Sequence, residues 1–213
     1  MVIVRSLLRR LRRARPRSAA LILVALGVGL GALATQRLPL LTGSKADPWP
    51  GGRLTYFDAS GSSAAVDAAA RRWNDSGANV QLERAGERSR ADVVFVADRE
   101  RLRSTCGARC LALSSTIGRP RDGRAATVML NPDITGEPNT LSVWVAMHEL
   151  GHILGLRHRE GTCSLMNAHA YDKACRSGGA KAAHGRLPCG PASGDVAAAA
   201  RLYGRAVAAR PCR

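Results

Sequence analysis

The stretch whose reading decides the fold runs from His148 to His158: His-Glu-Leu-Gly-His-Ile-Leu-Gly-Leu-Arg-His. His148 and His152 are four residues apart, so on an α-helix they project from one face. From there both reach one metal ion at nitrogen distances of about 2.0–2.1 Å. Glu149, next to His148, is rotated away from a direct bond yet stays beside the open coordination position, where a general base is needed. Gly155 falls where the helix must stop and the chain must turn sharply, a position that favours positive φ. That turn lets His158 approach the same ion from outside the helix. Three neutral imidazoles leave the fourth position free, which separates a catalytic zinc site from a closed structural one. The competing account is that these histidines ligate nothing. With five histidines in the chain, chance produces the whole pattern in only about one of 100,000 such sequences.

Outward from this motif, a helix is expected from Thr140 to Leu154, with Asn139 or Thr140 able to satisfy its free first-turn amides. Leu54 to Phe57 suits a strand, and Ser62 to Trp73 reads as a helix capped by Ser62 or Ser63. Asp92 to Ala97 is a continuous apolar run of strand length, as in a strand buried on both faces. Leu111–Ile117 and Thr127–Asn131 are shorter strand candidates, and a last helix is expected from Gly194 to Tyr203. No internal repeat is present. Early strands alternating with helices, followed by helix and loop, imply an α/β (α+β) sheet packed on helices with a less regular C-terminal part.

At 213 residues the chain has room for one domain plus a short extra segment. That segment is at the N-terminus. Residues 1–17 carry seven arginines and no acid. Residues 18–35 contain the apolar run Ala19–Ala34, so arginine on its N-terminal side keeps residues 1–17 in the cytoplasm and sends the remainder across the membrane. Ala32-Leu33-Ala34 matches a signal-peptidase site, while the length of the run also suits an uncleaved transmembrane anchor; both outcomes stay open. Residues 36–52 read as a Pro/Gly-containing linker, and the folded domain spans 53–213.

The net charge of +16 raises nucleic acid as a partner, but its distribution argues against one. Beyond residue 17 the remaining 25 basic residues face all 16 acidic ones, with no clustered base-reading or stacking residues. The six cysteines, Cys106, Cys110, Cys163, Cys175, Cys189 and Cys212, all follow the apolar run. They lack paired C-x2-C knuckles, so disulfides in an oxidising compartment are expected rather than a cysteine zinc cluster. Connectivity is not determined, although Cys106 and Cys110 are close enough to close a small loop.

HELGHILGLRH resembles the HExxHxxGxxH motif of metzincins, and especially of their matrixin branch. Met166, eight residues after His158 within Cys163-Ser-Leu-Met-Asn167, matches the family's methionine turn, and Asp195 to Gly204 is similar to the final matrixin helix ending in Leu-Tyr-Gly. Leu54-Thr-Tyr-Phe57, Ala70-Arg-Arg-Trp-Asn74 and Ala91-Asp-Val-Val94 resemble its early strand, first helix and following strand. The resemblance spans residues 53–204. It implies a metzincin-like zincin fold: a mixed twisted sheet, an active-site helix, a methionine turn and a C-terminal helix. It implies a zinc metalloendopeptidase in which His148, His152 and His158 hold Zn2+, Glu149 is catalytic, and Met166 packs under the imidazoles without bonding the metal.

The chain also departs from the family. Residues 35–52 are too short for a matrixin prodomain and contain no cysteine to cap the zinc. Leu187-Pro-Cys189-Gly190 resembles the cysteine latch but follows the site, and a disulfide role for Cys189 is preferred. Residues 98–139 hold no histidine and few acids, so one zinc ion is expected and calcium is left open. Gly194 stands where matrixins often carry a first aspartate, which puts their N-terminal salt link in doubt.

The expected reaction is attack of zinc-activated water on a peptide carbonyl, with Glu149 accepting the proton and passing it to the departing amine. An exposed edge strand, Thr127–Asn131, is expected to take the substrate in extended form, with Val128 and Leu130 affecting KM. His169 and His184 are expected as exposed loop residues. The partners implied are a protein or peptide substrate outside the cytoplasm and, through the N-terminal segment, a membrane, for a monomeric protein that is secreted or anchored. A zinc amidase acting on cell-wall peptides and a non-catalytic, zinc-ordered binding protein are the rival readings.

Overall fold

The computed structural model describes residues 47–135, 140–169 and 190–205. All of them belong to the unit spanning residues 45–213. The N-terminal segment expected at 18–35, the Glu137–Asn139 lead-in to the helix, His184, Cys175, Cys189 and Cys212 lie outside the described residues. Among the described residues, no helix is long and apolar enough to cross a membrane.

Among the described residues the fold is a five-stranded mixed sheet with four α-helices. Strands β1 (Arg53–Ala59), β2 (Gln81–Arg84), β3 (Val93–Ala97), β4 (Ala112–Ser114) and β5 (Ala126–Leu130) lie in the order β2-β1-β3-β5-β4. Pairings are parallel except for β4, which runs antiparallel to β5 with Ser114 opposite Val128. The helices are α1 (Ser63–Asn74), α2 (Arg99–Cys106), α3 (Thr140–Ile153) and α4 (Ser193–Tyr203).

One face of the sheet builds the main core. Alternation along β1 and β3 turns Leu54, Tyr56, Val93 and Phe95 towards α1 and α3, where they meet Val66, Trp73, Met147, Leu150 and Ile153. The opposite face carries only a small cluster of Ala85, Ala91 and Val94, with Phe57 and Val96 packed against it. Helix α3 is apolar nearly all round, as a helix in the middle of a core must be. Two indoles tie it down through main-chain acceptors. Trp73 donates its Nε1–H to Met147 O (2.9 Å) and Trp49 donates to Ile153 O (2.8 Å). The Tyr203 hydroxyl donates to Leu154 O (2.9 Å). The Ile153 and Leu154 carbonyls lie at the helix C-terminus, where no intrahelical amide remains to bond them.

The strands and helices expected from sequence all form, with ends shifted by a few residues, and three expectations are corrected. Thr127–Asn131 is not an edge strand: β5 lies between β3 and β4, with Val128 0% and Leu130 2% exposed. The sheet ends instead at β4, which occupies only part of the expected Leu111–Ile117. Ser62 holds the N-cap position of α1 without a side-chain cap bond. The carboxylate of Asp58 instead holds the lead-in to the helix, accepting from Ser62 N–H (3.1 Å) and the Ser63 hydroxyl (2.9 Å). The expected linker is also partly folded. Pro50–Gly52 forms a 3-10 turn, the Trp49 ring is buried, and Asp47 pairs with Arg121 at 2.6 Å.

The Trp73 ring is fully enclosed, so Trp73→Phe removes both a buried hydrogen bond and part of a core side chain. A loss of about 2–3 kcal/mol is expected in urea unfolding. Arg84→Ala, which removes the solvent-exposed ion pair with Asp67, should cost less than about 1 kcal/mol.

Candidate metal centre

The ligand atoms of His148, His152 and His158 all lie within 4.8 Å of one another. Helix α3 supplies the first two from consecutive turns. Gly155 then takes φ 92, and its N–H bonds His152 O (2.8 Å) while Leu156 N–H bonds Gly151 O (2.9 Å). These bonds close the helix with the left-handed residue that the sequence placed there. The chain then brings His158 alongside, with its Nε2 3.3 Å from that of His148 and 3.0 Å from that of His152.

Backbone carbonyls fix the ring orientations. His148 Nδ1 lies 2.7 Å from Leu165 O, and His152 Nδ1 lies 2.9 Å from Leu156 O. A carbonyl only accepts, so in each neutral ring the proton belongs on Nδ1 and the Nε2 lone pair faces the centre. Burial, helped by the neighbouring His152, drives His148 down to about 3. Burial likewise lowers His152 to about 4, against the opposing pull of the Leu156 carbonyl. Both rings are therefore neutral near pH 7 and ready to ligate.

This arrangement fits zinc. Four-coordinate geometry with Zn–N of about 2.0–2.1 Å separates ligand nitrogens by roughly 3.3 Å. The two spacings to His158 stand close to that value, and the lone pairs of His148 and His152 converge on the same point as His158 Nε2, as ligands to one cation do. Among the described residues this is the one group of three side chains able to hold a metal. His169 is exposed and outside the group.

Met166 is fully buried, and its sulfur packs against Gly151, on the helical turn between the two histidines. A Cβ at Gly151 would collide with that sulfur and lie 3.4 Å from the Trp73 ring, so the motif's central glycine is a packing requirement. Around Met166, the carboxylate of the fully buried Asp195 accepts from the Ser164 hydroxyl, Leu165 N–H (2.8 Å) and Ala192 N–H (3.2 Å). Asp195 thus holds Leu165 from its amide side, and the Ser164 hydroxyl it anchors accepts from Met166 N–H (3.0 Å), the amide of the peptide whose carbonyl orients His148. Cys163, at the start of this turn, is disulfide-bonded.

Glu149 is buried, and burial raises its carboxyl to about 7 against the opposing effect of a hydrogen bond from Ser114. Ser114 Oγ donates to Glu149 Oε2 at 2.6 Å. Trp144 stacks on the His148 ring, with centroids 5.3 Å apart and planes 28° apart. Sequence reasoning found neither Ser114 nor Trp144. Ser114 stands in a run with Ser115 and Thr116, where nothing distinguishes one hydroxyl, whereas Trp144 sits four residues before His148 and was legible as a same-face neighbour.

A sheet with one antiparallel edge strand, a helix bearing two histidines, a third histidine after a glycine turn and a buried methionine beneath define the metzincin class. The matrixin family model matches residues 55–178, more than half of the chain, and the chain belongs to the matrixin family, whose members bind zinc. Among curated proteins, none matches it.

Replacing Asp195 by alanine leaves two buried donors and one half-buried donor without their acceptor. We expect a stability loss of about 2–4 kcal/mol, seen in thermal unfolding. Zinc affinity should fall about 10–100-fold, measured by competition with a chromogenic chelator.

Proposed function

We propose that this protein is a zinc-dependent endopeptidase that cleaves extracytoplasmic proteins. The observation that carries the reading is the convergence of three inward-facing Nε2 atoms beside a buried carboxylate with its own hydroxyl donor. His148, His152 and His158 would hold the ion. When bound, zinc supplies Lewis acidity, bringing the pKa of water towards about 7 and polarising a peptide carbonyl.

The remaining work falls to the protein's own residues. Glu149 takes the proton of the attacking water and returns it to the amine that leaves, a shuttle suited to a carboxylate whose pKa burial has moved towards neutrality. The Leu165 and Leu156 carbonyls keep two imidazoles from rotating. Strand β4 ends the sheet, which supports strand addition of an extended peptide at Ala112–Ser114 rather than at β5.

The proposed site of action is outside the cytoplasm, with residues 1–17 inside and residues 18–35 serving as a signal peptide or anchor. The Cys106–Cys110 disulfide, closing the loop that leads into β4, supports an oxidising compartment. Zinc is the one metal this reading requires.

The test is digestion of a denatured protein mixture, with cleavage sites read by mass spectrometry. Internal cleavage should disappear with 1,10-phenanthroline and return with zinc. Glu149→Ala should retain stoichiometric zinc while kcat falls about 10²–10⁴-fold. Hydrolysis confined to cell-wall peptides would replace the endopeptidase with an amidase, and full zinc loading without turnover on either substrate would make this a binding protein.

A further inference from the structure

We infer that Ser114 is a positioning residue for the general base: its hydroxyl holds one oxygen of Glu149 and so fixes the orientation of the carboxylate beside the three histidines. This rests on the endopeptidase reading and adds to it a residue outside the zinc motif.

The argument begins with the side chain itself. A glutamate carboxylate hangs on three rotatable bonds, so a helix that fixes the Glu149 backbone does not fix its oxygens. Among the described residues Glu149 has one side-chain partner, Ser114. Ser114 Oγ also lies 3.3 Å from Glu149 O, but a hydroxyl has one proton to donate, and the carboxylate oxygen at 2.6 Å is nearer and charged. Oε2 is therefore taken by the hydroxyl, and the Ser114 backbone adds a second hydrogen bond to the same carboxylate, so one residue holds it twice.

A positioning group must itself be held, and β4 is held at both ends. On one side Ser115 N–H bonds Thr127 O (2.8 Å), while the Ser115 hydroxyl accepts from Thr127 N–H (2.9 Å). This uses the neighbouring hydroxyl and leaves Ser114 for Glu149. On the other side Asn131 N–H bonds Leu111 O (2.8 Å), and its side-chain amide bonds Cys110 O (3.0 Å). The Cys106–Cys110 disulfide anchors that end to α2. Strand alternation turns Ala112 towards the main core and Ser114 to the same side. A one-residue slip would exchange Ser114 for Leu113 or Ser115, and the buried partner strand β5 resists that slip. The strand proposed to take the substrate thus also holds the base, so peptide and carboxylate share one frame.

Ser114→Ala and Ser114→Thr test this. With Ser114→Ala we expect kcat to fall about 10-fold, KM to stay within about twofold, and zinc affinity by chelator competition to match wild type; Ser114→Thr should recover most of kcat. Crystal structures of the metal-free proteins give a second readout. Glu149 should hold one carboxylate orientation in the wild type and in Ser114→Thr, and a rotated or divided one in Ser114→Ala. Unchanged kcat with an unmoved carboxylate overturns the inference, as does a loss confined to KM or zinc binding. If wild-type protein cleaves no peptide, the endopeptidase reading fails, and the metal-free structures still decide the role of Ser114.

Discussion

Two hydrogen bonds from imidazole Nδ1–H groups to main-chain carbonyls, His148 to Leu165 and His152 to Leu156, are the constraint on which the rest of this structure depends. A histidine on a helix face can rotate about χ2 and present either nitrogen. A carbonyl acceptor behind the ring removes that freedom and fixes the tautomer. Each carbonyl has to be held in turn. Leu156 O is placed by the glycine turn that ends the helix, and Leu165 O by the turn wired to Asp195 across 30 residues of chain. The turn around Met166, the last helix and the end of α3 thus serve one requirement, that two lone pairs point inward before any metal arrives.

Helix α3 must then stay still under those rings. It is enclosed rather than laid on the surface, and its own C-terminal carbonyls are satisfied by Trp49 and Tyr203 from sequence-distant segments. Burial alone is non-directional and would tolerate small rotations of so apolar a helix. The indole and phenol donors add direction, because turning α3 breaks bonds to Met147, Ile153 and Leu154. Trp73 and Met166 also pack against Gly151 from outside, so the position between the two ligand turns has no room to shift.

Much of this was legible in the sequence because it is local. The i, i+4 histidines, the glycine at the helix end and the apolar Val93–Ala97 run each follow from short-range geometry, and all stand where the spacing put them. What was not legible depends on partners far along the chain. Strand β2 escaped notice because Gln81–Arg84 buries only Leu82. It is a strand because it pairs with β1 and because the Asn74 amide bonds the Leu82 backbone on both sides, at 3.0 and 2.8 Å. Thr127–Asn131 was misplaced for a related reason: an apolar pentapeptide states that a strand is buried but not which strands flank it. Asp195 was recognisable as part of a helix ending in Leu-Tyr-Gly, but its role appears only once Ser164 and Leu165 are folded against it.

The choice of acceptors has an electrostatic consequence. Both Nδ1 protons go to neutral carbonyl oxygens, and Asp195 is separated from the imidazoles by the Ser164–Leu165 backbone it anchors. The negative charge bonded directly at this face of α3 is that of Glu149. In the proposed reaction, a divalent cation held by three neutral imidazoles would keep most of its charge, which would favour negative charge developing on a carbonyl oxygen during attack. Carboxylate partners on both histidines would neutralise that field. The Ser114 hydroxyl is consistent with the same economy: it steadies Glu149 without adding charge, whereas a lysine or arginine in its place would compete with the metal for the carboxylate and hold its proton affinity low.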